Sequence, residues 1–177
     1  MRKILILLSC LFLMQSYAVG AAHAEGTSVA AVDVRKLVDE SVAGKGIHTA
    51  LKAKRDALQK EASAIEKKLR ADQQALISKR KDMKPEEFET KKKAFEAEFT
   101  KMNEGLRKKV TDLDNQRKKA LHTLQENVAK VTADIADEKK IKLVVDRELV
   151  VIVDQSLDLT AEVLKKLDER VKSIPLE

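Results

Sequence analysis

Asp82-Met83-Lys84-Pro85-Glu86 is the stretch on which the fold turns. Proline suits the first position of a helix, because the amide it lacks would be unpaired there anyway. Glu86 and Glu87 add negative charge in the first turn, where the helix dipole favours it. Lys84 is a poor cap, so the start is defined only loosely. On both sides of this break, apolar residues recur every three or four positions. Upstream, Leu51, Leu58 and Ile65 lie seven apart, as do Ala62, Leu69, Leu76 and Met83. Together they form one stripe. Downstream the stripe runs through Phe88, Phe95, Phe99, Met102, Leu106, Val110, Leu113, Leu121, Leu124, Val128, Val131 and Ile135, with slips near Lys109 and Ala120. The intervening residues are mostly strong helix formers. The spacing predicts helices over 47–83 and 85–137, roughly 55 and 75 Å long. So short a turn makes them antiparallel, and the longer second helix extends into whatever holds the hairpin.

The flanks read differently. Arg2-Lys3, the apolar run Ile4–Met14 and Ala22-His23-Ala24 form a signal-peptide pattern over residues 1–24. The run is too short for a bilayer, which takes about 20 residues. Cys10 comes too early for a lipoprotein cleavage site. Ser28–Val34 reads as a strand, and Leu37, Val38 and Val42 suit two helical turns before Ala43-Gly44-Lys45-Gly46 breaks the chain. Ile141–Val145 and Leu149–Val153 read as an antiparallel β-hairpin around Asp146-Arg147-Glu148, the second strand buried on both faces. Thr160 fits the N-cap of a final helix whose apolar face is Val163, Leu164, Leu167 and Val171. The expected organisation is therefore a body of residues 25–46 and 138–177 and an arm of residues 47–137. The fold class is α+β, mostly α. A body of about 60 residues without an aromatic is too small to fold alone. Its open strand edges predict self-association through Val32, Val34, Val144, Val150 and Ile152.

After residue 24 the chain has no cysteine, so no disulfide supports the fold in an oxidising compartment. The precursor carries a net charge of +6. Residues 49–110 hold 18 basic and 11 acidic residues, a net of +7, so the positive field lies on the arm. Lys79, Arg80, Lys81, Lys84, Lys91, Lys92 and Lys93 gather around the turn, and Arg107, Lys108 and Lys109 lie further along. Such a surface attracts acidic chains, anionic lipid or nucleic acid; a solvated helical face is the simpler reading. Phe88, Phe95 and Phe99 share a face and suit interhelical packing, with client contact as the rival role. Catalysis finds no support. Gly44-Lys45 lacks the rest of a phosphate loop, and His48 and His122 are isolated. Asp33, Asp146, Asp154 and Asp158 match no calcium loop. No catalytic residue, metal ligand or cofactor site is expected.

The order of signals, with Val32-Asp33-Val34, Leu143-Val144-Val145-Asp146 and Asp158-Leu159-Thr160-Ala161-Glu162-Val163-Leu164-Lys165, resembles the OmpH (Skp) family of periplasmic chaperones. The resemblance covers the whole chain after the signal peptide. It implies a homotrimer with a small β-rich body and three helical arms around a cavity. It also implies an ATP-independent holdase for unfolded outer-membrane β-barrel proteins. No specific lipopolysaccharide site carries over by residue, although the basic surface fits anionic lipid or lipopolysaccharide. The rival reading is a coiled-coil tether of the cell envelope. The signal peptide and the lack of aromatic platforms argue against a nucleic-acid role.

Overall fold

The computed structural model describes residues 28–177; the signal-peptide reading falls outside them. The elements are β1 (Val29–Val32), α1 (Val34–Glu40), α2 (Val42–Ser78), α3 (Pro85–Glu138), β2 (Leu143–Asp146) and α4 (Thr160–Arg170). Short 3-10 turns occupy Lys79–Asp82, Arg147–Leu149 and Gln155–Leu157. The chain is thus mostly helical: α2, of 37 residues, and α3, of 54, form a long antiparallel hairpin rising from a small body. Pro85 stands at the start of α3, and Lys84 gives no side-chain cap.

The hairpin begins earlier than its sequence pattern suggests. Gly44 and Gly46 do not break the chain but lie in the first turns of α2. The break is at Ser41, which is fully buried and accepts the Gly44 amide at 3.1 Å as the N-cap of α2. Asp168, from α4, takes the Val42 amide at 2.7 Å. Glycine at 44 has a steric reason. A Cβ there would stand 1.7 Å from the Val38 carbonyl oxygen, so α1 and α2 meet backbone to backbone.

The sheet also departs from expectation. There is no 141–153 hairpin. β2 pairs with β1 in parallel, Val29 opposite Leu143 and Val32 opposite Asp146. Parallel neighbours need a long crossover, and here the whole α1–α2–α3 segment is that crossover. Val32 and Val144 stand in strands, but Val34 opens α1, and Val150 and Ile152 lie in no strand. The Asp146-Arg147-Glu148 segment lacks the Gly or Asn that a tight hairpin needs. Instead Asp146 accepts the Glu148 amide at 3.1 Å and starts a 3-10 turn. Far from being buried on both faces, Val151 is 99% exposed and Ile152 86%.

The core is larger than the body alone. Ala30, Val32, Leu37, Leu159, Val163 and Leu167 pack with Ala43, Ile47 and Leu51 of α2 and with Ala120, Leu124, Val128, Val131 and Ile135 of α3. The roots of the hairpin therefore supply over half of the cluster, which answers the shortage of apolar residues in the body. α3 ends in a Schellman-type cap. Lys140 takes φ 56°, and the Ile141 amide reaches back to the Ala136 carbonyl at 2.8 Å. This turns the chain sharply into β2.

The four aspartates tie loops. Asp33 caps α1 through the Lys36 amide at 2.8 Å, and Asp154 accepts the Ser156 amide at 2.8 Å. Asp158 accepts the Thr160 amide at 2.9 Å and also its hydroxyl, and it pairs with Arg147. Thr160 is not the N-cap of α4; Leu159 is, and Thr160 Oγ1 accepts the Asp33 amide at 2.9 Å. Asp158 thus joins the 3-10 turn at Arg147, the end of β1 and the start of α4. Burial pushes the Asp158 carboxyl up, but the Thr160 hydroxyl and amide and the Arg147 guanidinium outweigh it and hold it below its ordinary value. Such a carboxylate contributes stability that is complete above its unfolded pKa and is lost as pH falls through the folded one. Asp158→Ala is expected to lower stability by about 1–3 kcal/mol at neutral pH. Urea midpoints of variant and parent should converge as both are acidified below the carboxylate range. An equal gap at every pH would refute this role.

Candidate functional site

Three surfaces stand out: the arm tip, the waist of the hairpin and the edge of the body. At the tip, Lys79, Arg80 and Lys81 lie on the exposed 3-10 turn and Lys84 follows it. The fold brings them near the start of α3, where Arg80 stacks over the Phe88 ring at 5.3 Å, a cation–π contact. Lys91 pairs with Glu87 at 2.9 Å and Lys92 with Glu96 at 4.0 Å. Lys109 spans the hairpin to Glu61, as Lys68 does to Glu98. Hydrogen bonds donated by the Lys68 ammonium to Glu98 and then Asp72 hold its pKa up. Lys79, Lys81, Lys84, Lys93, Arg107 and Lys108 make no ion pair among the described residues. The ten basic residues therefore divide: some lace the arm together, and these six carry its outward field.

The seam between α2 and α3 is thin. Leu51 and Leu69 are buried, while Leu58, Ala62, Ile65 and Leu76 are half-buried. Phe95 and Phe99 stack at 6.5 Å between ring centroids, yet Phe99 stays 50% exposed. Ile77 and Val110 are each 60% exposed. At the waist the helices leave gaps on both faces. One cavity of about 410 Å³ is lined by Leu58, Ala62, Leu106, Val110 and Leu113 with Arg55 and Arg117. On the opposite face, about 350 Å³ lies between Lys54, Ala57, Leu58, Lys109, Leu113 and Gln116. A third gap of about 290 Å³ follows toward the tip, under Ile65, Leu69, Phe95 and Phe99. The physical cause is legible: alanines at 57 and 62 face a partner helix whose stripe slips near Lys109. Asp114 beside this waist is held below its ordinary value by hydrogen bonds from Lys118 and Arg117.

At the body edge, a groove of about 380 Å³ runs between the sheet and α3, lined by Val32, Val34, Val128, Thr132, Val144 and Val145. The Thr132 hydroxyl is buried there without a partner. Nearby, Leu149, Val151 and Ile152 project at 84%, 99% and 86% exposure. The fold thus keeps Val32, Val34 and Val144 beside one groove, with Val150 and Ile152 on the segment that follows β2.

His48 lies 3.4 Å from Asp39 and His122 3.3 Å from Glu126, all exposed. Among the described residues no cluster of His, Cys, Asp and Glu could hold a metal ion, and no helix is long and apolar enough to cross a membrane.

The sequence reading places Val171 on the apolar face of the final helix but misses the packing of the residues after it. Ile174 and Leu176 pack against the core cluster with Val171, and Lys54 Nζ donates to the Leu176 carbonyl at 3.4 Å and to Gln116 at 2.7 Å. Ile174-Pro175-Leu176 was the available signal, an extended apolar pair around a proline.

The family described as "Outer membrane protein (OmpH-like)" matches residues 28–167. No curated protein matches. Among solved structures, an OmpH-like protein of Caulobacter crescentus CB15, described as a "putative outer membrane chaperone", superposes with a TM-score of 0.79. It shares 19% identity, and the match covers 85% of this chain and 89% of that one.

Proposed function

The chain belongs to the OmpH-like outer membrane protein family, and from that premise we propose that it is an ATP-independent holdase of the periplasm. It captures unfolded outer-membrane β-barrel proteins between the arms of a homotrimer and keeps them from aggregating before membrane insertion. The observation that carries this reading is the half-open apolar seam beside unpaired lysines and arginines on the arm. Exposed apolar strips suit an unfolded chain. Many weak contacts inside one cavity raise the effective concentration of the client without tight binding at any one of them. Lys79, Lys81, Lys84, Lys93, Arg107 and Lys108 steer acidic clients, and Arg80, Lys91, Lys92 and Lys109 keep the arm in shape. The same positive tip suits anionic lipid or lipopolysaccharide.

Self-association is supported by the body edge. A two-stranded sheet is marginal alone, and the β2 edge, the apolar groove and the Leu149–Val153 segment together suit the corresponding elements of another copy. A strand laid in the groove would bring a partner to Thr132 Oγ1.

The test is light scattering of an unfolded outer-membrane barrel protein diluted from urea without nucleotide. One trimer per client should suppress aggregation, and capture should slow by about tenfold from low to physiological salt. Unchanged aggregation at stoichiometric trimer would remove the holdase reading.

A further inference from the structure

Residues Val171–Glu177 lie beyond the family match, which ends at residue 167, and they do not simply trail away. α4 closes with the Val171 amide on the Leu167 carbonyl at 2.8 Å, and Arg170 pairs with Asp134 of α3. Six residues later, the Leu176 carbonyl meets Lys54, which also holds Gln116. From Asp134 to Gln116, α3 rises by about 27 Å. Six extended residues span about 20 Å, and the long Arg170 and Lys54 side chains cover the rest. The segment, after a bend at Lys172, therefore runs out along the hairpin. Over its last four residues exposure alternates: Ile174 and Leu176 turn inward, Pro175 and Glu177 outward, while Lys172 and Ser173 before them are both exposed. Pro175 enforces this, since it holds Ile174 out of the helical region. Where Leu176 stops, the open gap between the helices starts. Lys54 and Gln116 touch the segment or its anchor and also line the cavity with Leu58 and Leu113, and Glu177 borders the next hollow beside Asp112 and Gln116. The segment thus reaches the body-side end of the interhelical gap at Lys54 and Gln116.

We infer that Val171–Glu177 is a plug acting in cis, seated at the root of the interhelical groove in competition with extended client segments. This rests on the holdase reading. Its seat shows what the groove accepts: a chain that turns an i, i+2 apolar pair inward, Ile174 and Leu176, with a carbonyl for Lys54. That is the pattern of a membrane β-strand before it folds. A client segment entering the gap lengthens its contact toward the body only by displacing the plug. A site open one-tenth of the time binds with one-tenth of its intrinsic affinity.

The test uses a labelled ten-residue peptide of alternating valine and serine, with fluorescence anisotropy as readout. The full chain carrying I174D/L176D, and a chain ending at Arg170, are compared with the parent after circular dichroism and solution mass establish that each is folded. Release of the plug predicts about tenfold tighter peptide binding, reversed by adding peptide 171–177. In the unaltered chain, hydrogen exchange of residues 171–177 should speed up when the alternating peptide is bound. That second measurement stands even if both variants fail to fold. Unchanged or weaker peptide binding by a folded variant overturns the plug, and so does unchanged exchange in the parent. If the parent retains an unfolded barrel protein while these results fail, only the plug is lost. If it retains neither ligand, the holdase reading goes with it.

Discussion

V151D/I152D is expected to leave the chain helical but to break the proposed assembly into single copies in solution. Val151 and Ile152 are almost wholly exposed beside Leu149, next to a sheet with a free β2 edge. Burying each such side chain against another copy contributes about 1.5–3 kcal/mol. Aspartate removes that gain and sets unpaired charges where the neighbour would close over them. The single copy stays folded because its core draws on Ile47, Leu51, Leu124, Val128, Val131 and Ile135 of the hairpin roots, all buried within one copy. Retention of clients is expected to fall with assembly, because the proposed cavity would form only between copies. Sedimentation checks the first effect and the scattering assay the second. An unaltered mass for the double variant would place self-association elsewhere.

Gly44→Ala has the other large effect, on stability. The new Cβ would meet the Val38 carbonyl oxygen at 1.7 Å and its carbon at 2.9 Å, and Ser41 Oγ at 3.0 Å. Two of those atoms are backbone, so no rotamer relieves the overlap. α1 must move off α2, and Leu37, which is fully buried, moves with it. Overpacking usually costs about 1–3 kcal/mol, and a backbone clash of this size belongs at or above the upper end. Gly46→Ala is the internal control: its Cβ meets nothing within 4 Å, and alanine in a helix gains about 1 kcal/mol over glycine. Denaturant midpoints should move in opposite directions. Equal gains from both substitutions would show that the α1–α2 contact is looser than described.

The hairpin was legible because its signal is local. Heptad spacing, helix-forming charged residues and Pro85 all act within a few positions. The body was less so, because its decisive contacts are distant in sequence. β1 meets β2 only after the whole hairpin has intervened, and parallel pairing leaves no turn motif. Two adjacent β-branched runs at 141–145 and 149–153 therefore imitated a hairpin, although Asp146 starts a 3-10 turn between them and the second run forms no strand. Gly44 was read as a helix breaker because glycine's local tendency was visible and the Val38 carbonyl was not. At the arm, the basic runs were plain and the Lys91–Glu87 and Lys92–Glu96 pairs follow from i,i+4 spacing, but that Lys109 pairs with Glu61 depends on the register of the two helices. The waist gaps follow from small residues on α2 meeting a slipped stripe on α3, which neither helix displays alone.

Native mass spectrometry of the chain mixed with an unfolded outer-membrane barrel protein, without nucleotide, is the most direct single test of the account. It predicts three copies carrying one client, with the client lost as ionic strength rises. A chain that stays single, or an assembly that carries no client, would contradict it.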